Sequence, residues 1–171
     1  MTKTLTTNYA GYFQRYIEQV PEESLQEAFN KQTPFISSFL SSVPKDKYTY
    51  AYAEGKWTIK EVLQHMIDTE RIMAYRALAF SRGEAAHLPG FDEKEYAANS
   101  NANNRTWQSL GNEFLIVRQS TQLLFNSLTT EMLDAEGTAN NNLLSVRAIG
   151  FIILGHFYHH KNVIEKLYLG K

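Results

Sequence analysis

Apolar residues recur at helical spacing in four long segments of this 171-residue chain. An apolar stripe of that period predicts an amphipathic helix, and no alternating strand pattern of useful length competes with it. We predict long helices over residues 22–43, 58–81, 106–128 and 145–169, and a short N-terminal helix that ends at Pro21. The whole chain, residues 1–171, is therefore expected to be a single all-α domain: a four-helix bundle with a short extra helix packed against its outside.

Helix-end signals agree with these boundaries. Thr58 and Glu61 form a capping-box pattern at the start of the second long helix, and Gly83 follows its predicted end. Ser145 is placed to cap the last helix, and Gly170 lies just beyond it. Capping residues and glycines thus predict the ends of two helices, and these two helices carry four of the five histidines.

Three features interrupt the helical pattern. Pro34 falls inside the first long segment and is expected to kink or divide that helix. Residues 86–105 form a long connection, with one helical turn expected at residues 92–97. Residues 137–143 are rich in asparagine and are expected to be a second loop.

Composition excludes several classes of function. Hydrophobic residues make up 43% of the chain and the net charge is −1, so we expect a folded protein that binds neither nucleic acid nor membrane. The chain contains no cysteine, which excludes thiolate ligands, a cysteine nucleophile and disulfides. The N-terminal residues lack the apolar core of a signal peptide, and charged or polar residues interrupt every apolar stretch. A cytoplasmic location is the corresponding expectation.

Three of the five histidines lie at positions that suit a metal site. His156 and His160 are four residues apart and face the same side of the last helix, among its apolar residues. His65 lies at the edge of the apolar face of another helix. Two interpretations remain open from spacing alone: three imidazoles that bind one metal ion with a free coordination position, or core histidines with hydrogen-bond partners.

Four short motifs carry a resemblance to a known family: WTIKEVLQH (57–65), DTER (68–71), LPGF (88–91) and GHFYHH (155–160). With these motifs the chain resembles the DinB superfamily, in its YfiT-like branch. The resemblance implies a four-helix bundle that holds a divalent metal ion, commonly zinc or nickel, through a histidine triad. The triad matches His65, His156 and His160.

The resemblance also implies a range of activities. Bacillithiol S-transferases and mycothiol-dependent maleylpyruvate isomerase are similar bundles that use a low-molecular-weight thiol, and other members are called metal-dependent hydrolases. We therefore expect a metal-dependent enzyme that activates an external thiol as cosubstrate and acts on a small-molecule substrate. The alternatives are a hydrolase that uses metal-bound water and a non-catalytic, metal-stabilised binding or stress-response module. Pairing in similar bundles, together with many tyrosines and phenylalanines, favours a homodimer.

Four further residues are candidates for the site. Arg76 lies on the same helix strip as His65 and is suited to bind a carboxylate of substrate or thiol; its alternative is an ion pair with Glu61, Asp68 or Asp92. Glu61 or Asp68 is placed to orient a histidine ligand. His159 is a spare ligand at a poor angle. The sequence assigns no catalytic residue, and the 86–105 connection is expected to border the metal cleft.

Overall fold

The protein is a bundle of four long helices with smaller elements packed at its ends. The computed structural model describes residue 9 and residues 11–171; the remaining N-terminal residues, for which the sequence predicts no signal peptide, lie outside the described residues. The helices are α1 (Gln14–Ile17), α2 (Leu25–Ser42), α3 (Ile59–Ser81), α4 (Glu93–Asn99), α5 (Trp107–Asn126), α6 (Thr130–Asp134) and α7 (Val146–Val163). The prediction of an all-α four-helix bundle is confirmed.

Short turns and one hairpin complete the chain. Turns of 3₁₀-helix cover Gly11–Phe13, Lys45–Lys47 and Ala102–Asn104, and a π-helical turn, Ile164–Tyr168, continues α7. Strands β1 (Glu136–Ala139) and β2 (Asn142–Ser145) pair antiparallel just before α7. Among the described residues, no helix is long and apolar enough to cross a membrane.

Helix α7 is the central element of the bundle. It packs against α1, α2 and α3, while α3 also packs against α5. Every residue from Ala148 to Phe157 is buried, and Phe151 and Phe157 belong to two different clusters of the core. A helix buried on nearly all sides reads as a continuous apolar run, which makes the polar His156 conspicuous.

The predicted helix ends are present. The Thr58 hydroxyl accepts from the Glu61 amide at 3.2 Å, and the Glu61 carboxylate accepts from the Thr58 amide at 2.7 Å. The Ser145 hydroxyl accepts from the Ala148 amide at 3.1 Å and starts α7. Gly83 follows α3 with a φ of 81°, a left-handed conformation that glycine adopts without a side-chain penalty.

Pro34 does not divide α2, contrary to one outcome expected from the sequence. The helix is continuous from Leu25 to Ser42 with the proline inside it. A proline removes one amide donor from a helix, but Ile36 and Phe39 beyond it are buried in the core. This burial holds the second half of the helix in place.

The loop expected at residues 137–143 is a β-hairpin, and this corrects the prediction. Asn140 and Asn141 form its turn with φ angles of 49° and 60°, the left-handed pair that a tight hairpin requires. Leu88 of the long connection attaches to it: its amide donates to the Thr138 carbonyl at 2.9 Å, and its carbonyl accepts from the Asn140 amide at 3.0 Å. The hairpin and the 86–105 segment therefore form one wall at this end of the bundle.

The N-terminal helix is more deeply packed than the sequence predicts. Tyr16, Ile17 and Val20 are buried against α7 and its neighbours. A Cβ on Gly155 of α7 would lie 1.9 Å from the Tyr16 carbonyl oxygen, so only glycine permits this approach. Helix α1 is therefore packed into the core beside α7 and is not only an outer layer.

Candidate metal centre

The structure brings His65, His156 and His160 together. The Nε2 atoms of His65 and His156 are 3.1 Å apart, and those of His156 and His160 are 3.0 Å apart. His65 and His156 are only 5% and 7% exposed, and His160 is half-buried. The three side chains form the one group of three or more potential ligands within the part of the chain that is described.

Local packing explains this convergence. His156 and His160 are one helical turn apart on α7, and α3 packs beside α7 so that His65 reaches them. Aromatic rings enclose the cluster: the Trp57 ring lies 4.9 Å from that of His65, and the Tyr16 ring lies 5.4 Å from that of His156. The His65 and His156 imidazoles are thereby packed against aromatic neighbours.

The donor set fits a divalent metal ion. The Nε2 of His156 faces two other ring nitrogens but carries at most one proton, so hydrogen bonds alone cannot satisfy both contacts well. Metal–nitrogen bonds of about 2.0–2.1 Å in a tetrahedral site place the ligand nitrogens roughly 3.3 Å apart. The observed separations of 3.0 and 3.1 Å are close to that value. Imidazole nitrogens suit zinc and nickel, among other transition metals.

Burial keeps these imidazoles neutral. Desolvation, with the positive charge of His159, lowers the pKa of His65 to about 4. Desolvation and neighbouring histidines hold the pKa of His156 and of His160 well below the usual range. Near neutral pH the lone pairs of all three are therefore available, as metal binding requires.

The cluster opens into a cavity of about 250 Å³. Five separate parts of the chain build it: the N-terminal turn with α1, helix α3, the start of α4, the hairpin turn, and α7. Its lining residues are Tyr12, Phe13, Tyr16, His65, Thr69, Met73, Arg76, Phe91, Glu93, Asn140, Ile152 and His156. Phe91 and Glu93 come from the 86–105 segment, while residues 44–55 contribute none, in agreement with the expected position of that segment.

Arg76 lies in this cavity wall and is 4% exposed. Its Nη2 donates to the Pro89 carbonyl at 2.8 Å, and its Nη1 lies 3.7 Å from the Met73 sulfur. None of the carboxylates in the described segments forms an ion pair with it. The alternative of an ion pair with Glu61, Asp68 or Asp92 is therefore not observed.

Glu61 and Asp68 have partners other than a histidine. Glu61 closes the capping box and accepts from Asn103 at 3.0 Å. Asp68 accepts from Gln64 at 2.8 Å, and burial raises the pKa of Asp68. The hydroxyl of Thr69, one turn after His65, instead lies 3.5 Å from the His65 Nδ1. Contrary to expectation, neither Glu61 nor Asp68 orients a histidine, and Thr69 makes the contact with His65 instead.

His159 stands apart from the converging nitrogens. It is half-buried, and its ring lies 5.3 Å from that of Tyr16 and 4.9 Å from that of His160. The three-nitrogen group does not include it. It packs beside the candidate centre, as its angle on the helix suggests.

A buried polar network beneath the site was not predicted. Arg118 is fully buried and donates to both carboxylate oxygens of Glu70, each at 2.8 Å, and to the Gln32 side-chain oxygen. Gln32 in turn donates to the Leu154 carbonyl at 2.9 Å. Glu70 and Arg118 line a void of about 10 Å³ together with His156. This network therefore lies directly beside the histidine cluster, on its buried side.

The sequence contains a signal for this network. Arg118 lies four residues after the buried Phe114 on α5, a spacing that places both side chains on one helix face. A charged residue on an apolar stripe needs a buried counter-charge. Glu70, within the DTER motif of the facing helix, supplies it.

Helical bundles can hold metals between side chains of facing helices, and this protein is a helical bundle in which three imidazoles converge beside a cavity. The family model of the DinB superfamily matches residues 13–164. The chain therefore belongs to the DinB superfamily.

Two solved structures from Bacillus subtilis show the same fold. One is YfiT, described as "a probable metal-dependent hydrolase with an unusual four-helix bundle topology"; it has a TM-score of 0.72 and 15% identity over 95% of this chain and 89% of YfiT. The other is YjoA, described as a DinB-like protein, with a TM-score of 0.57 and 19% identity over 85% of this chain and 87% of YjoA. No curated protein sequence matches the chain.

Proposed function

We propose that this protein is a metal-dependent enzyme in which His65, His156 and His160 hold a divalent ion, zinc or nickel. The observation that carries the proposal is that two of the three clustered histidines, His65 and His156, lie in the wall of a 250 Å³ cavity. Catalytic metal sites keep a position open to water or substrate, whereas structural sites are closed by four protein ligands. Within the described residues no fourth ligand joins the three histidines, which supports catalysis over the non-catalytic alternative.

A bound metal would supply Lewis acidity, lowering the pKa of a water or thiol so that it becomes a nucleophile near neutral pH. The chain's own residues prepare the site. Phe13, Phe91 and Ile152 give the cavity apolar walls, which limit the access of water. The Thr69 hydroxyl is placed beside the Nδ1 of His65 and helps to fix that ring.

Transfer to an external thiol is the preferred reaction class. The chain has no cysteine, so a nucleophilic sulfur must come from a small thiol that enters the cavity. This preference rests on the resemblance of the chain to thiol-dependent bundles. Hydrolysis is the second candidate, and the likeness of fold to YfiT favours it, since that protein is described as a probable metal-dependent hydrolase.

A conjugation assay tests the preferred class. Bacillithiol, glutathione, coenzyme A and cysteine would each be combined with a generic electrophile and with metal-loaded protein, metal-stripped protein or His65→Ala. We expect the loaded protein to accelerate conjugation of at least one thiol, and stripping or His65→Ala to abolish the acceleration. His87→Ala is the matched control, because His87 is an exposed loop residue.

Failure of every thiol with fully loaded protein would contradict thiol transfer. A panel of esters, amides and lactones then tests hydrolysis with the same variants. Metal-dependent turnover in that panel would establish the second candidate. No turnover in either assay, with metal bound, would contradict the proposal of an enzyme and favour the non-catalytic module.

A further inference from the structure

We infer that Arg76 is an anion-binding residue of the cavity, and that the ligand of this cavity is an apolar or aryl-alkyl carboxylate. The inference rests on the proposed function, since it takes the cavity beside the histidines as the substrate site. It adds a chemical class of substrate that the metal centre alone does not specify.

Arg76 is a buried cation without an ion-pair partner among the described residues. Only 4% of the residue is exposed, and no ion pair connects it to any acidic side chain described here. Burial lowers the pKa of its guanidinium from the usual value, because desolvation disfavours the charged form. Buried charges are normally paired. Arg118, the other buried arginine, has its pairing carboxylate in Glu70.

The hydrogen bonds of Arg76 leave donors for a ligand. A guanidinium has five N–H groups. One is donated to the Pro89 carbonyl and another points at the weakly accepting Met73 sulfur. The remaining N–H groups of Arg76 have no acceptor among the described residues, and Arg76 lines the cavity. A carboxylate is the ligand whose two oxygens match this planar fork.

The guanidinium is held in position before any ligand arrives. Pro89, its carbonyl partner, follows Leu88, which the hairpin fixes through hydrogen bonds to Thr138 and Asn140. Gly90 permits this close packing, because a Cβ there would lie 2.4 Å from the Asn140 side-chain oxygen. A donor fixed in advance loses less entropy on binding than a mobile one.

The position of Arg76 sets a minimum length for a ligand that contacts both Arg76 and the histidines. Its guanidinium contacts Met73, and Met73 is eight residues after His65, which corresponds to about 12 Å of helix rise. A ligand that reaches from Arg76 to the histidines must therefore be longer than acetate. The lining of the cavity includes Phe13, Phe91 and Ile152, which favour a ligand with an apolar body. Glu93 is the acidic residue of the lining, but it is exposed, where solvent screens its charge.

Equilibrium binding to metal-stripped protein tests the inference without any catalysis. The probes are 4-phenylbutyrate and its amide, compared by titration calorimetry. Because charge-assisted hydrogen bonds are about twice as strong as neutral ones, we expect the acid to bind at least about tenfold more tightly than the amide. Arg76→Gln should remove this preference. Arg82→Gln is the matched control, an exposed arginine just after α3, and should keep it.

Equal affinity for acid and amide in the unmodified protein, or equal acid affinity in Arg76→Gln, would overturn the inference. If Arg76→Gln does not fold, the Nε–H resonance of Arg76 in the unmodified protein decides: addition of the acid must shift it, and no shift overturns the inference. The outcome of the metal-dependent activity assays is independent of the outcome of this binding experiment. Carboxylate binding without metal-dependent turnover would contradict the proposed function alone, and turnover without carboxylate preference would contradict this inference alone.

Discussion

Glu70 and Arg118 are nearly inaccessible to solvent and hold each other through two hydrogen bonds. Removing one partner of a buried pair leaves an uncompensated charge and costs about 3–5 kcal/mol. We expect Glu70→Gln to lower the free energy of unfolding by an amount in this range, measured by urea denaturation. A loss below about 1 kcal/mol would contradict the role given to the pair.

The exposed pair Arg71–Glu113 provides the control for that experiment. Arg71 has 55% of its side chain exposed, and exposed ion pairs contribute only about 0–1 kcal/mol. Arg71→Gln should therefore change the unfolding free energy by no more than that. The double variant Glu70→Leu with Arg118→Met should recover much of the loss, because it removes both charges.

Asp68 is a single residue that makes the free energy of unfolding depend on pH. Burial raises the pKa of Asp68 in the folded state, so the folded carboxyl binds a proton more tightly than the unfolded one. Protonated Asp68 therefore contributes to the free energy of unfolding below the pKa that this carboxyl has in the unfolded chain. The contribution is lost as the pH rises through its pKa in the folded protein. Asp68→Asn keeps an acceptor for Gln64 and removes the charge. We expect its gain in unfolding free energy to be larger near neutral pH than below about pH 4; an equal gain at both would contradict this.

At the scale of elements, two glycines in helices have opposite roles. A Cβ on Gly155 would meet the Tyr16 backbone, whereas a Cβ on Gly111 would lie 3.4 Å from a flexible Leu40 methyl. We expect Gly155→Ala to separate α1 from α7 and to cost about 1–3 kcal/mol. Gly111→Ala should be neutral or stabilising, because alanine is favoured over glycine in helices by about 1 kcal/mol.

Thermal unfolding of both variants measures the difference. Since Tyr16 lines the cavity, Gly155→Ala should also weaken binding of the 4-phenylbutyrate probe, and Gly111→Ala should not. A Gly155→Ala protein as stable as the unmodified one would show that α1 is not held by this close approach.

Elements whose signals are local were predictable from the sequence. The capping box at Thr58 and Glu61 and the cap at Ser145 depend on hydrogen bonds within four residues, and the structure contains them. The convergence of His156 and His160 follows from helix geometry. The addition of His65 required the resemblance to the DinB superfamily, because spacing does not say which helices are neighbours.

The features that were missed depend on tertiary contacts or on a turn signal not recognised. Asn140-Asn141 was a usable hairpin signal, since asparagine tolerates positive φ. The continuity of α2 through Pro34 depends on the core beyond it, which the sequence does not display. Arg76 lacks its expected carboxylate partner because the facing surface is a cavity, and cavities form from segments distant in the chain.

At the scale of the whole molecule, we propose that two chains associate. The resemblance to the DinB superfamily implies pairing, and large apolar side chains are exposed on the surface, among them Tyr75, Ile116 and Leu123. Light scattering at micromolar concentration should give twice the 19.6 kDa of one chain. The mass of a single chain would contradict a stable dimer.

The binding of one metal ion per chain by His65, His156 and His160 is the central claim. Plasma mass spectrometry of untagged protein, saturated with zinc or nickel and then desalted, measures it directly. We predict about one equivalent in the unmodified protein and in His159→Ala, whose ring packs beside the centre without joining it. We predict a clear loss of bound metal in His156→Ala, which removes the central nitrogen. Equal metal in His156→Ala, or none in the unmodified protein, would contradict the account.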